Sequence, residues 1–178
     1  MAKIPEPLDT ITHYCRQEAD TARLAEQFAN RIRKELELNP KSHLNIALVG
    51  DLGAGKTTFA RYLIQGLGFT GKVKSPTYTL CEPYPLEVGN IQCSAHHFDL
   101  YRMRDPLEWQ EAGFAEYFDA PGFCLVEWPE KAEDTLPLFD LQISLKAGES
   151  ESERAIKLSA LSKQGLSTLQ GIAKSSHE

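Results

Sequence analysis

Three features that mark other protein classes are missing from this chain of 178 residues. No apolar run approaches the length of a membrane-spanning helix, and the N-terminus lacks the apolar stretch of a secretory signal. The four cysteines, Cys15, Cys81, Cys93 and Cys124, form no C-x-x-C pair, so nothing indicates a zinc or redox site. We therefore expect reduced, mostly buried thiols in a cytoplasmic protein.

The chain also has little positive charge. It carries 19 Lys and Arg against 25 Asp and Glu, for a formal net charge of −6 at pH 7. A protein that binds nucleic acid by itself usually shows a basic surface. The excess of negative charge argues against a protein that binds nucleic acid by itself, and it leaves open a role beside RNA within a complex.

What the chain does have is a phosphate-binding loop at residues 50–57, which fits G-x-x-x-x-G-K-[ST] at every fixed position. Residues 44–49 before it predict a buried strand, and residues 58–67 after it have the apolar spacing of a helix. Strand, glycine-rich loop and helix are the context that the motif requires. Backbone N–H groups would face phosphate oxygens, Lys56 would reach the β- and γ-phosphates, and the Thr57 hydroxyl would sit on Mg²⁺.

The rest of the chain is predicted to form a single domain around this loop. Residues 1–17 hold two prolines and no clear period, so we expect an irregular lead-in. One domain should follow over residues 18–173, with a disordered tail over residues 174–178. A helix is predicted over residues 19–38, where apolar side chains recur at every fourth position.

The other elements follow from alternation and turn signals. The N-cap of the first helix is expected at Asp20 or Thr21. Strands are predicted over residues 77–84, 91–98, 123–126, 140–145 and 154–161, short helical pieces over 106–118 and a last short helix over 166–173.

A phosphate loop also needs a carboxylate to hold Mg²⁺, usually at the end of an apolar strand. Asp99 follows residues 95–98, and Glu127 follows the more apolar residues 123–126. One acid could serve the metal, directly or through water, while the other positions or activates the attacking water. We expect Asp99 on the metal side and Glu127 as the catalytic acid, and the sequence leaves the reverse open.

Further polar residues come near the loop in sequence. The hydroxyl-rich residues 75–79 could act as a switch, with Thr77 sensing the γ-phosphate or its metal, or could be ordinary turn chemistry. The adjacent His96 and His97 would point to opposite faces of a strand, so they cannot form a joint metal site. Arg102 could pair with an acidic neighbour or contact a phosphate.

Two classes of P-loop protein are disfavoured by what the sequence lacks. No Asn-Lys-x-Asp motif for reading guanine occurs, so a Ras-like GTPase is disfavoured and adenine is the expected base. The arginine-rich lid of a nucleoside monophosphate kinase is missing too, because the arginines after residue 104 reduce to Arg154.

Four ordered blocks of the sequence resemble the TsaE (YjeE) family, the ATPase component of bacterial tRNA threonylcarbamoyladenosine synthesis. They are Gly-Asp-Leu-Gly-Ala-Gly-Lys-Thr-Thr at 50–58, Val-Lys-Ser-Pro-Thr-Tyr-Thr-Leu at 73–80, His-Phe-Asp-Leu-Tyr-Arg at 97–102 and Leu-Val-Glu-Trp-Pro-Glu at 125–130. The resemblance covers about residues 18–137. Four blocks in one order are more specific than the phosphate loop alone.

The resemblance implies an α/β fold, a P-loop NTPase-like three-layer domain with a partly parallel central sheet. It implies a protein that binds ATP and Mg²⁺ and hydrolyses ATP weakly by itself. The implied partner is the TsaB–TsaD complex, whose turnover the ATPase cycle would support. No stable tRNA binding by the chain alone and no membrane association are expected.

Carried onto this sequence, the resemblance also implies roles for single residues. Lys56, Asp99 and Glu127 would be catalytic, and Thr57, Asp99 and Glu127 would surround the metal. The nucleotide would be contacted by Asp51, Leu52, Gly53, Ala54, Gly55, Lys56, Thr57, Thr58, Thr77, Trp128 and Thr21, the last of them beside the base.

Two alternatives to this function stay open on the sequence. The chain could be a nucleotide-dependent binding module in which hydrolysis is incidental, or a small-molecule kinase. A kinase needs an acceptor pocket and usually more basic residues around the phosphates, whereas Lys56 stands nearly alone here.

Overall fold

The computed structural model describes residues 5–76 and 78–175. Within those ranges the chain forms seven strands and four α-helices, with short 3₁₀ turns at Ala115–Phe118 and Pro129–Ala132. The elements are β1 (Asp9–Cys15), α1 (Glu18–Leu38), β2 (His43–Val49), α2 (Lys56–Gly66), β3 (Cys81–Val88), β4 (Ile91–Asp99), α3 (Glu108–Glu111), β5 (Gly122–Glu127), β6 (Leu141–Ala147), β7 (Arg154–Ala160) and α4 (Lys163–Ser175).

All seven strands belong to one sheet of order β1-β7-β6-β2-β5-β4-β3. Strand β2 runs parallel to β5 and β6, and β4 runs parallel to β5, while the remaining pairs are antiparallel. The predicted partly parallel sheet is confirmed. Because β2, β4 and β5 share one direction, their last residues Val49, Asp99 and Glu127 meet at the same edge, where open α/β sheets bind ligands.

Side chains cover both faces of this sheet, as strand β5 shows. All six of its residues are buried. Phe123 and Leu125 pack with the apolar faces of α1, α2 and α4. Cys124 and Val126 pack on the opposite side with residues of α3 and the 3₁₀ turns. The chain therefore has helix, sheet and helix layers, and β5 reads as a continuous apolar run because neither face meets water.

Helix α1 begins earlier than the sequence predicted. Its N-cap is Gln17, and Asp20 occupies the third helical position. The Asp20 carboxylate accepts hydrogen bonds from the backbone N–H groups of Arg16, at 3.0 Å, and Gln17, at 3.3 Å. The prediction of Asp20 or Thr21 as N-cap is therefore wrong, because Asp20 caps the helix from within its first turn.

The predicted irregular lead-in is also wrong. Residues Asp9–Cys15 form β1, an edge strand paired antiparallel with β7. Most of its side chains are exposed, so the alternation of apolar and polar residues that indicates a half-buried strand is weak there. Helix α4 continues to Ser175, inside the predicted tail, and residues 176–178 lie outside the described residues.

The strand predicted over residues 77–84 begins later, at Cys81, after a turn at residues 78–80. Pro83 and Pro85 lie within β3, where they are tolerated because β3 forms the other edge of the sheet. Strands β3 and β4 form an antiparallel hairpin, and β6 and β7 form a second antiparallel pair. Within the described ranges, none of the helices combines the length and apolarity that a bilayer crossing requires.

Candidate functional site

The phosphate loop connects the buried strand β2 directly to α2. A Cβ on Gly50 would lie only 2.5 Å from the backbone oxygen of Leu145 on β6, so this position has no room for a side chain. Gly55 has a φ of +102°, a left-handed conformation that favours glycine, immediately before Lys56 begins the helix. The motif therefore has the strand, loop and helix that it requires, with the N-terminus of α2 at the loop.

Lys56 is buried inside the loop. Its Nζ donates hydrogen bonds to the backbone oxygens of Gly50 and Asp51, the latter at 3.1 Å. The same atom lies 4.1 Å from the centroid of the Trp128 ring. Trp128 directly follows β5 with a φ of +57°, so a left-handed backbone turn sets the ring over the lysine. The side chain that should bind phosphate thus rests between carbonyl oxygens and an indole.

The hydroxyl of Thr57 is hydrogen-bonded to Glu127. Thr57 Oγ1 lies 3.2 Å from Oε1 and 3.1 Å from Oε2 of that carboxylate. On its other side, Glu127 Oε2 lies 2.6 Å from Nε2 of His97, which is fully buried in β4. Nδ1 of His97 has no hydrogen-bond partner among the described residues. His97 must carry its proton on Nε2 to donate to a carboxylate, so the pair fixes both the tautomer and the direction of the acid.

Asp99 is the neighbour of Glu127 across the β4–β5 pair. Its Oδ2 accepts a hydrogen bond from the Ser75 hydroxyl at 2.9 Å, and its Oδ1 accepts one from the Tyr101 backbone N–H at 3.0 Å. Both acids are nearly inaccessible, at 8% exposure for Asp99 and 3% for Glu127. The two carboxylates are therefore held at the sheet edge by different partners.

A cleft of about 460 Å³ opens over these groups. It is lined by Leu52, Gly53, Ala54, Gly55, Lys56, Thr57, Thr58, Ser75, Asp99, Tyr101, Arg102, Glu127, Trp128 and Arg154. The structure therefore brings together most of the residues that the sequence singled out for nucleotide, metal and catalysis.

Two of the predicted contact residues, Asp51 and Thr21, do not line this cleft. Asp51 is exposed beside it and contributes a backbone oxygen to Lys56. Thr21 is buried in α1. Thr77 lies outside the described residues. Contact of Thr21 and Thr77 with a nucleotide stays a prediction.

Sequence reasoning missed two residues of the site. Arg154, on β7, donates from Nε to the Ala54 oxygen of the loop at 2.8 Å. No local motif predicts that Arg154 contacts the loop, because this residue lies a hundred positions after Ala54 in the sequence. The sequence places His97 in a histidine pair and in the block at 97–102, but it does not indicate the partnership with Glu127, which depends on the β4–β5 register.

His96 lies on the opposite face of β4 from His97. Its ring stacks on Tyr117 with centroids 4.0 Å apart. Burial lowers the pKa of His96 from 6.5 to about 4, with a smaller contribution from His43. The expectation that the two histidines cannot share a metal is consistent with these separate partners.

The oxygen atoms at the sheet edge fit Mg²⁺. Thr57, Asp99 and Glu127 offer a hydroxyl and two carboxylates in one cleft, and Mg²⁺ prefers oxygen ligands. Mg²⁺ usually keeps several waters and takes one or two carboxylates together with substrate phosphates. Among residues 5–76 and 78–175, no group of three or more His, Cys, Asp and Glu could hold a metal by itself.

Comparisons with known proteins identify the family of this chain. The family model described as "Threonylcarbamoyl adenosine biosynthesis protein TsaE" matches residues 15–156. The chain is 40% identical over 138 residues to the tRNA threonylcarbamoyladenosine biosynthesis protein TsaE of Haemophilus influenzae, covering 78% of this chain and 83% of that one. It is 46% identical over 109 residues to the TsaE of Bacillus subtilis, covering 61% of this chain and 65% of that one.

The fold agrees as well. The crystal structure of Bacillus subtilis YdiB superposes with a TM-score of 0.72 at 28% identity, covering 94% of this chain and 97% of that one. The family model spans the phosphate loop, both acids and Arg154. The chain therefore belongs to the TsaE family, as its four sequence blocks indicated.

Proposed function

We propose that this protein is a Mg²⁺-dependent ATPase of the tRNA threonylcarbamoyladenosine modification system and that it acts with the TsaB–TsaD complex. The observation that carries the proposal is a complete phosphate loop facing two buried acids in one cleft. Lys56 would bind the β- and γ-phosphates, and the loop N–H groups would surround them. Bound Mg²⁺ would neutralise charge on those phosphates.

The hydrogen bonds of the two acids favour roles that are the reverse of those expected from the sequence, where Asp99 is on the metal side and Glu127 is the catalytic acid. The hydroxyl of Thr57, which binds the metal in this motif, is bonded to Glu127. Asp99 is bonded to Ser75, at the start of the switch-like segment. We therefore propose Glu127 as the acid nearer the metal and Asp99 as the acid nearer the attacking water.

The rim of the cleft supports docking of a partner. Leu52 and Tyr78 are 77% and 84% exposed, and Tyr101 is 45% exposed. Exposed apolar side chains of this size, grouped at one opening, are typical of an interaction surface. Since Ser75 contacts Asp99 beneath this rim, a bound γ-phosphate would alter the same surface, so docking should depend on the nucleotide.

ATP turnover with and without purified TsaB–TsaD tests the function. We expect the partners to raise turnover, and capture of TsaB–TsaD to differ between a non-hydrolysable ATP analogue, ADP and no nucleotide. Leu52→Ser should weaken capture, whereas Leu38→Ser should not, because Leu38 is equally apolar and 85% exposed but does not line the cleft. Titration of tRNA alone should show no stable binding, as the net charge of −6 predicts.

The same experiments separate the alternatives. Nucleotide-dependent capture without any rise in turnover would favour a binding module in which hydrolysis is incidental. Transfer of the γ-phosphate to a small molecule instead of water would favour a kinase. Capture that ignores nucleotide, together with unchanged turnover, would contradict the proposed function.

A further inference from the structure

Two arginines line the phosphate-loop cleft, and they are held in different ways. The guanidinium of Arg154 is committed to the backbone, because it donates to the oxygens of Ala54, at 2.8 Å, and of Glu151 and Glu153, both at 2.7 Å. These bonds anchor the loop to the start of β7. Arg154 is therefore a positioning residue whose donors are largely occupied.

Among the described residues, Arg102 has no such backbone anchors. Its guanidinium carbon lies 4.6 Å from the centroid of the Tyr78 ring. Within residues 5–76 and 78–175, the Arg102 side chain makes no hydrogen bond or ion pair with another residue. Both Arg102 and Tyr78 are exposed, so neither side chain is confined by packing. The five N–H donors of this guanidinium are thus available to a ligand in the cleft.

The position of Arg102 suits the phosphate end of a nucleotide. It comes three residues after Asp99 and lines the same cleft as Lys56, Thr57 and Glu127. A guanidinium forms paired hydrogen bonds with phosphate oxygens, and an exposed cation–π contact is the weaker of the two interactions. Exchange of the Tyr78 ring for a phosphate is therefore favourable.

We propose that Arg102 is a catalytic residue, which leaves the Tyr78 ring and donates to the γ-phosphate of bound ATP. In hydrolysis a water oxygen bonds to the γ-phosphorus, the bond to the β–γ bridging oxygen breaks with its electron pair going to ADP, and the water proton passes to a carboxylate. Charge grows on the phosphoryl oxygens during this step, and Arg102 would stabilise it there. The inference rests on the proposed ATPase function.

Arg102→Ala tests the inference, with Arg104→Ala as the matched control. Arg104 is also exposed and only two residues away, but it does not line the cleft. The two readouts are ATP turnover at saturating substrate and calorimetric affinity for Mg²⁺–ADP with and without aluminium fluoride, which mimics the transferring phosphoryl group. We expect Arg102→Ala to lower turnover and the aluminium fluoride affinity by roughly 10- to 100-fold, and to leave ADP affinity unchanged.

Two further variants sharpen the test. Arg102→Lys should recover only part of the loss, because an ammonium lacks the guanidinium fork. In an assay without TsaB–TsaD, Tyr78→Leu should raise turnover in the chain with Arg102 and have no effect in the Arg102→Ala background.

The inference is overturned if Arg102→Ala behaves like Arg104→Ala in both readouts, or if the unmodified chain does not bind aluminium fluoride with ADP. An unmodified chain that hydrolyses no ATP even with TsaB–TsaD would contradict the proposed function. The aluminium fluoride titration would still decide the role of Arg102.

Discussion

His96 and His97 are consecutive in β4 and occupy opposite chemical environments. His97 faces the side of the sheet that carries the phosphate loop, where its Nε2 meets the carboxylate of Glu127 at 2.6 Å. His96 faces the other side, where its ring stacks on Tyr117 and its pKa is lowered to about 4. His97 belongs to the polar network at the cleft, and His96 packs in the apolar layer beneath α3.

The difference shows that the two buried faces of one sheet can have different functions, one at the binding site and one in the core. Along β4 and β5, alternate residues supply the acids of the cleft, and the residues between them supply the opposite core. Substitutions on the loop face should therefore alter binding and turnover, and those on the opposite face should alter stability. The following predictions test this separation.

The largest effects are expected from the two acids. Asp99→Ala should spare ATP binding and lower turnover by about 10²–10⁴-fold, as loss of a group that positions or deprotonates water does. Glu127→Ala should reduce both turnover and Mg²⁺-dependent ATP affinity. Calorimetry with and without Mg²⁺, beside a turnover assay, measures both. If Asp99→Ala loses Mg²⁺-dependent affinity and Glu127→Ala keeps it, the assignment of the two acids is reversed.

The next largest effect is expected from Lys56→Ala. The variant removes the ammonium inside the loop, a charge-assisted contact with phosphate worth about 1.5–3 kcal/mol. ATP and ADP affinities should fall accordingly, while the circular dichroism spectrum stays unchanged. A folded Lys56→Ala protein that binds ATP as tightly as the original would show that the loop is not the binding site.

On the opposite face, His96 should make stability depend on pH. Its pKa is about 4 in the folded chain, against 6.5 in the unfolded one, so the unfolded chain binds the proton first as the pH falls. Stability is therefore fully present above pH 6.5 and is lost toward pH 4, by about 2 kcal/mol at pH 5. Urea unfolding at pH 7 and pH 5 measures the loss.

His96→Phe is the matched control for that measurement. Phenylalanine keeps an aromatic ring against Tyr117 and cannot titrate, so this part of the pH dependence should disappear. Turnover at pH 7 should change little, because His96 does not line the cleft. An identical pH dependence in the His96→Phe protein would contradict the role given to this histidine.

The smallest effect is expected at His97. Glutamine at this position can still donate a hydrogen bond to Glu127, and alanine cannot. Turnover of His97→Gln should exceed that of His97→Ala by about fivefold, the equivalent of one hydrogen bond of about 1 kcal/mol. Equal turnover in the two variants would mean that His97 acts only through packing.

Much of the site could be predicted because its parts are local in sequence. The loop residues are adjacent, and Asp99 and Glu127 each come at the end of a predicted strand, so the two strand ends could be recognised one at a time. Which of the two carboxylates meets Thr57 across the loop could not be predicted. That contact is set by the order of β2, β5 and β4 in the sheet.

The parts that were missed depend on long-range pairing. Arg154 reaches the loop only because β7 joins the sheet through β6. Strand β1 pairs over a still longer separation, since its register with β7 runs from Asp9 with Ala160 to Cys15 with Arg154. A mostly exposed edge strand carries little periodic signal, and its stability comes from a partner that local patterns do not reveal.

The left-handed backbone at Trp128 has a consequence for engineering. A bulky residue with a φ of +57° costs of order 1–3 kcal/mol, and glycine would adopt the same turn with little penalty. In return for this conformational cost, the indole of Trp128 lies with its ring centroid 4.1 Å from Nζ of Lys56. A search for heat-resistant variants would therefore select glycine or asparagine here and lose the aromatic cover of the lysine. Screens for thermal tolerance should hold position 128 fixed.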